Sequence, residues 1–214
     1  MEPLSLLLTT LGAVFFGVPS LYYLYLWRMA SKPWHLIIDK NHLPAVSVLI
    51  PAYNEEKTIR LKLLNISKVA YEKDKMQIIL VDDASNDNTV REAQNFVQEH
   101  PELELTIIKA EARTGKSVAL NNALKNTKHD IIIVTDADTF WSRDILVEAL
   151  PFFSDLSVGA LSGRQTLLNS EEALSAQTER VYLDLTYGIV KLGESKIHST
   201  IIYHGLFSAY SKKY

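Results

Sequence analysis

Two aspartates that flank a single residue, Asp136 and Asp138, follow directly on the apolar run Ile131 to Val134. Carboxylates so spaced can share one hard cation, and ligation by oxygen alone suits magnesium or manganese. Such an ion keeps some of its waters, bridges substrate phosphates and acts as a Lewis acid toward a departing diphosphate. Three other polar clusters stand in the same relation to an apolar run. Pro51, Tyr53, Asn54, Glu55 and Glu56 follow Val46 to Ile50. Asp82, Asp83, Ser85 and Asp87 follow Ile78 to Val81, and Arg113, Gly115 and Lys116 follow Leu105 to Ile108. Asp83 can accept hydrogen bonds from a base or a ribose hydroxyl. Tyr53 offers a ring face to a base, and Lys116 offers a point charge to a phosphate.

Each cluster also has a plainer reading. Asp-x-Asp pairs are common in turns, and Asp often caps a following helix. The stretch from Asp82 to Asn88 fits a turn that caps the next helix. Glu55 and Glu56 suit the positive end of a helix. Lys116 fits an exposed lysine at a helix start, Tyr53 fits simple packing, and His204 beside Gly205 fits a hydrogen-bonded structural histidine. Recurrence favours chemistry: four successive apolar runs each end in a polar cluster.

The elements that must hold these clusters alternate along the chain. After the first run, Ile59, Leu63 and Ile66 have helical spacing within a helix expected over roughly Glu55 to Val69. Asn88 to Glu99, Lys116 to about Asn126 and Ser142 to Phe153 are the next helix candidates. Strands alternating with helices indicate an α/β fold, a Rossmann-like and mostly parallel sheet with helices on both faces. The strands are continuous apolar runs, as expected when both sheet faces are covered. In such sheets ligands bind outside the carboxyl ends of the strands, where the clusters lie. Further on the pattern predicts a strand over Val158 to Leu161, a long helix over Glu171 to Leu192, and a strand over Ile201 to Tyr210 interrupted by Gly205.

Before this region lies a different kind of segment. Leu4 to Trp27 carries no charge and is rich in Leu, Val, Phe and Tyr. At about 1.5 Å per residue it spans the ~30 Å hydrocarbon layer as one transmembrane helix. Tyr22, Tyr23, Tyr25 and Trp27 crowd one end, and Arg28 and Lys32 follow. Interfacial rings and the positive-inside rule then put the remainder at the cytoplasmic face of the cell membrane. The expected organisation is an anchor over 1–30, a juxtamembrane linker over 31–45 broken by Pro33 and Pro44, and one domain over 46–214. The 214 residues are 47% apolar with a net charge of −3, enough for a real core and without the basic face that nucleic acid requires. The absence of cysteine excludes disulfides, thiolate zinc sites and cysteine nucleophiles.

Four stretches in this order resemble the family 2 glycosyltransferases of the GT-A fold: Val46 to Glu56, Leu80 to Thr89, Arg113 to Leu124 and Val134 to Thr139. The Arg-Thr-Gly-Lys and Asp-Ala-Asp-Thr forms are most similar to the membrane-bound polysaccharide-synthase branch. The resemblance implies a nucleotide-sugar donor, UDP-sugar before GDP-sugar, bordered by Pro51, Tyr53, Glu55, Val81, Asp83, Lys116 and Asp136. It implies a divalent metal ion, Mg or Mn, at Asp136 and Asp138. It also implies inverting transfer to a lipid-linked or polysaccharide acceptor by direct displacement, with a carboxylate as general base. No Asp or Glu occurs after Glu194, so that base is expected beyond Tyr214, in a chain truncated at its C-terminus. The alternatives are a donor-binding module without transfer activity and a metal-dependent nucleotidyltransferase.

Overall fold

The apolar runs pair side by side in the computed structural model, which describes residues 3–164, 181–183, 185–200 and 206–213. The strands are β1 (Val46–Ala52), β2 (Met76–Asp82), β3 (Glu104–Lys109), β4 (Ile131–Val134), β5 (Ala160–Ser162) and β6 (Ser208–Ser211), in the sheet order β3-β2-β1-β4-β6-β5. β1 pairs parallel with β2 and with β4, and β2 pairs parallel with β3. β6 runs antiparallel between β4 and β5. The chain thus winds outward from β1 through β2 to β3, then returns to β4 on the other side of β1. In open α/β sheets ligands bind at such a reversal, in the crevice outside the carboxyl ends of the strands, here β1 and β4.

The helices are α1 (Pro3–Ala30), α2 (Ile59–Ser67), α3 (Thr89–Glu99), α4 (Lys116–Leu124), α5 (Ile145–Ala149) and α6 (Leu192–Ile197). Side chains of α2, α3 and α5 bury one sheet face, with Ile59, Leu63, Ile66, Phe96 and Leu146 against Val48, Ile50, Ile78 and Leu80. On the other face Ala119 and Ala123 of α4 meet Leu49, Ile79, Val81 and Ile132. Each such aliphatic side chain contributes about 1.5–3 kcal/mol on burial. β1 and β2 are covered on both sides, as their unbroken apolar runs predict. β3 is not: it is an edge strand, and Glu104, Thr106 and Lys109 are exposed.

Several boundaries move for local reasons. Residues 55–58 form a turn, in which the Glu55 carbonyl accepts the N–H groups of Thr58 and Ile59, and α2 starts only after it. The helix expected over Ser142 to Phe153 is a short α-helix that tightens into a 3₁₀ segment, Leu150–Ser154. Pro151 lies in that segment and has no N–H to donate. The strand expected over Val158 to Leu161 is shifted to Ala160–Ser162. Of the strand expected over Ile201 to Tyr210, residues 201–205, including His204, lie outside the described residues, and Ser208–Ser211 is the strand observed. The helix expected over Glu171 to Leu192 also lies largely outside them. Its described end is helical and passes through a π-helical stretch, Thr186–Lys191, into α6.

The described residues divide into two units, one within Met1–His35 and Arg164–Tyr203, the other within Leu36–Gly163 and His204–Tyr214. The second contains the sheet. It also includes the later part of the expected linker, since the Ile37 and Asp39 N–H groups donate to Asp155 Oδ2 and Ser154 Oγ, both at 2.8 Å. In the first unit α1 is long and apolar enough to cross a membrane, and its Leu, Val and Phe side chains are mostly exposed. A π-helical turn, Ala13–Gly17, precedes Pro19, whose missing N–H cannot continue the regular ladder. Gly193 of α6 lies against Leu26, where a Cβ would stand 2.5 Å from the Leu26 carbonyl oxygen. Lys196 donates to the carbonyls of Ala30 and Lys32 at the end of α1, where orphan carbonyls need donors. Gly193→Val should therefore cost about 1–3 kcal/mol by forcing α6 off α1. A lower melting midpoint of the full chain in detergent checks this, and an unchanged midpoint contradicts it.

Candidate functional site

The loops after β1 and β2 are laced together. Asn54, in the left-handed region at φ 57°, donates its N–H to Ser85 Oγ at 2.9 Å, and its side-chain oxygen accepts the Asn86 N–H at 3.0 Å. Glu55 N–H donates to Thr89 Oγ1 at 2.7 Å, and Glu56 N–H to Asp87 Oδ2 at 3.1 Å. Asp87 also accepts the Thr89 N–H at 2.9 Å, so it caps α3. The carboxylate of Glu55 accepts the Thr58 hydroxyl, and that of Glu56 accepts the Asn88 N–H at 3.2 Å. Asp82 accepts the Ser85 N–H at 3.1 Å. The capping role read for this stretch is therefore present, carried by Asp87 with Asp82 closing the turn.

Asp83 reaches across to another loop. Its Oδ1 accepts the Thr114 N–H at 2.8 Å and the Thr114 hydroxyl at 2.9 Å, and its Oδ2 accepts the Gly115 N–H at 2.7 Å. The Thr114 N–H, with Gly115, the Thr114 hydroxyl and the charge of Arg113, holds this carboxyl below its ordinary range despite the opposing effect of burial. Gly115 follows at φ 89°, a backbone conformation open to glycine, and α4 begins at the next residue. On one side of this loop the Arg113 guanidinium lies over the Tyr53 ring, 3.9 Å from its centroid. On the other side Lys116 Nζ is ion-paired with Asp136 Oδ1. Residues 113–116 thus join the ends of β1, β2 and β4.

The loop after β4 is shaped by what it buries. Ala137 is 3% exposed and joins the core, which turns Asp136 and Asp138 outward on either side of it. Asp136 is partly exposed and Asp138 exposed. Beneath them Lys62 of α2 is fully buried, with Nζ donating to Thr135 Oγ1 at 2.7 Å and to the Thr139 carbonyl at 2.8 Å. Burial pushes this ammonium down to about 7, against the opposing pull of Asp136 and Asp138. Asn65, one turn on, accepts the Trp141 N–H at 2.7 Å and donates to the Trp141 carbonyl at 2.9 Å. Among the described residues no group of three or more His, Cys, Asp or Glu side chains is placed to hold a metal ion. Two outward carboxylates nevertheless fit magnesium or manganese, which take one or two carboxylates and fill their remaining positions with water and phosphate.

The structure brings Tyr53, Asp83, Lys116 and Asp136 into one connected set. Pro51, next to last in β1, is partly exposed, and Asp138 stands beside Asp136. Glu55 is occupied with Thr58 at the start of α2. Val81 is 1% exposed and packs in the core beneath α4, so its side chain does not line the crevice. Lys62, Asn65, Thr135 and Thr139 were not among the expected site residues. The signal for Lys62 was available, since a lysine falls at the i+3 position of the inward stripe Ile59, Leu63, Ile66.

Asp83→Asn should release the 113–116 loop and cost about 1–2 kcal/mol near neutral pH. A carboxylate whose folded pKa lies below its unfolded value of 3.8 adds stability that is present above 3.8 and lost as pH falls through the folded value. The stability gap between wild type and variant, measured by denaturant unfolding, should therefore shrink as pH falls through that range. A gap that stays constant into acid contradicts the assignment.

Residues 47–214 match the family described as Glycosyl transferase family 2. The beta-monoglucosyldiacylglycerol synthase of Trichormus variabilis is 33% identical over 143 residues, 66% of this chain and 31% of the relative. The poly-beta-1,6-N-acetyl-D-glucosamine synthase of Staphylococcus epidermidis is 24% identical over 205 residues, 94% of this chain and 48% of the relative. The matched stretches thus cover less than half of the length of either relative. Among solved structures, the mannosyltransferase PcManGT from Pyrobaculum calidifontis, in complex with GDP-Man and Mn2+, superposes with a TM-score of 0.83 at 34% identity, over 96% of this chain and 55% of that one. The 1-349 portion of S. aureus TarS in complex with UDP gives a TM-score of 0.53 at 25% identity, over 60% of this chain and 37% of that one. A mostly parallel sheet with its polar clusters at the strand ends, matched over most of its sequence, places the chain in glycosyl transferase family 2.

Proposed function

We propose that the chain forms the donor-binding part of a membrane-anchored glycosyltransferase. It takes a nucleoside-diphosphate sugar and passes the sugar to a lipid-linked or glycan acceptor. One observation carries this reading: the 113–116 loop is tied to Asp83, Tyr53 and Asp136 at once, which puts a cation, a ring and a carboxylate around a single crevice. The relatives support the substrate class, since one neighbour was solved with GDP-Man and Mn2+ and another with UDP. The names of the two synthases point to a lipid and a glycan as acceptors.

In the transfer an acceptor hydroxyl bonds to the anomeric carbon. The bond to the diphosphate breaks, the nucleoside diphosphate leaves with the electron pair, and the hydroxyl proton passes to a carboxylate general base. Tyr53 and Arg113 form a flat edge for the nucleoside at the end of β1. Lys116, about half exposed, reaches the diphosphate by leaving Asp136. The amino end of α4 adds the partial positive charge of its unpaired N–H groups. Asp136 and Asp138 would hold a magnesium or manganese ion, which would supply Lewis-acid stabilisation of the leaving diphosphate. α1 serves as the anchor, and Arg28 in its last turn and Lys32 just after it set the catalytic unit on the cytoplasmic side.

Isothermal titration of the full chain in detergent, with UDP and with GDP in the presence of Mn2+, tests the site. At least one nucleotide should bind, and Asp138→Ala should weaken it by about 100-fold, which is about 2.8 kcal/mol. No heat from either nucleotide, or an affinity that Asp138→Ala leaves unchanged, would defeat the reading.

A further inference from the structure

α2 carries a lysine where its inward stripe calls for an apolar side chain. Ile59, Leu63 and Ile66 are fully buried, and Lys62 between them has no exposed surface. An ammonium so placed is costly unless each of its protons has a partner, and an apolar residue of similar volume is often the more stable choice. The three donor contacts of Lys62 all go to one loop: Thr135 Oγ1 at 2.7 Å, the Thr139 carbonyl at 2.8 Å and Thr139 Oγ1 at 3.4 Å. The Trp141 ring lies 4.6 Å from Nζ.

Those two threonines bracket Asp136, Ala137 and Asp138. In its charged form the Lys62 side chain only donates, so Thr135 Oγ1 then accepts from it and turns its own proton to the Leu206 carbonyl at 2.8 Å. Thr139 Oγ1 in turn lies 3.1 Å from the Asp136 carbonyl. The polar chain from Lys62 therefore has a fixed direction and touches the backbone on both sides of the acidic pair. We propose that Lys62 is a positioning residue for the cation–diphosphate site: it fixes the spacing of Asp136 and Asp138 by holding the threonine on each side. This rests on the reading of Asp136 and Asp138 as cation ligands.

Removing Lys62 has two opposed effects on a divalent cation. Loss of a nearby positive charge favours the cation, while loss of the threonine clamp lets the carboxylates drift apart. The clamp dominates: losing a partner that orients a metal ligand typically costs about 10–100-fold in affinity. The charge effect is blunted because Asp138 is exposed to solvent and salt.

The test uses the electron paramagnetic resonance signal of free Mn2+ during titration of the full chain in detergent, alone and with UDP or GDP. Lys62→Met keeps the stem of the side chain and should raise the half-saturating Mn2+ concentration about 10-fold or more. Thr135→Val keeps the charge and removes the acceptor, and should shift it in the same direction. Ile66→Ala, which loosens α2 by opening a cavity in the core, should lower the melting midpoint and leave Mn2+ uptake near wild type. Uptake by Lys62→Met equal to or tighter than wild type overturns the proposal, as does an equal loss in Ile66→Ala, which would mark mere loosening. If Lys62→Met does not fold, Thr135→Val decides, and unchanged uptake there overturns the proposal. No Mn2+ uptake by the wild-type chain overturns the site reading and this inference together, whereas normal wild-type uptake with an indifferent Lys62→Met overturns the inference alone.

Discussion

The carboxylate of Asp83 takes three hydrogen bonds from a loop that belongs to a different strand, and the arrangement of the site depends on it. Asp83 stands at the end of β2, while Thr114 and Gly115 lead out of the edge strand β3 and into α4. Charge-assisted bonds of this kind are roughly twice as strong as neutral ones. They draw the loop back over the sheet, so Arg113 lies on Tyr53 from β1 and Lys116 meets Asp136 from β4. Without this tie the loop after β3 would not reach the turns after β1 and β4. The tie works only because Gly115 accepts a positive φ and because Asp83 itself is 4% exposed, shielded from competing water.

A second constraint acts from below. β1, β2 and β4 are held in register by parallel pairing, which makes their carboxyl ends a rigid platform. α2 grips the loop after β4 at two points one turn apart, through Lys62 and Asn65. Ala137 anchors the middle of that loop in the core. Most of the buried stripe of α2 follows the apolar pattern that stability alone would choose, and Lys62 does not. Proteins tend to break local rules of this sort where function sets the demand.

Much of this architecture is legible in the sequence. β1, β2 and β4 stand out because a strand buried on both faces must be apolar throughout, and the polar residue that ends each run is also where the ligand side begins. β5 and β6 are short, at three and four residues, and their apolar content is too slight to fix boundaries. The turn before α2 misleads because Glu55 and Glu56 are good helix formers, yet their N–H groups are committed to Thr89 and Asp87 on the neighbouring loop. Asp83 could be picked out as a hydrogen-bond acceptor, but its partners on residues 114 and 115 depend on pairings between strands far apart in sequence. Val81 follows the family pattern without its side chain reaching the crevice. The lysine in the α2 stripe was visible, but only the folded chain shows which loop it serves.

The ion pair between Lys116 and Asp136 gives the crevice a balance of charge of its own. Two surface-accessible groups so paired are only weakly committed to each other. When Asp136 turns to a cation, Lys116 is left without its counter-ion and available to an anion. When Lys116 turns to an anion, Asp136 becomes the free ligand. Each exchange lowers the cost of the other, so the two occupants assist each other's entry by the same factor in either order, as linkage requires. On the proposed reading of the site, the crevice would therefore work as a two-key lock, favouring the joint arrival of opposite charges over either one alone.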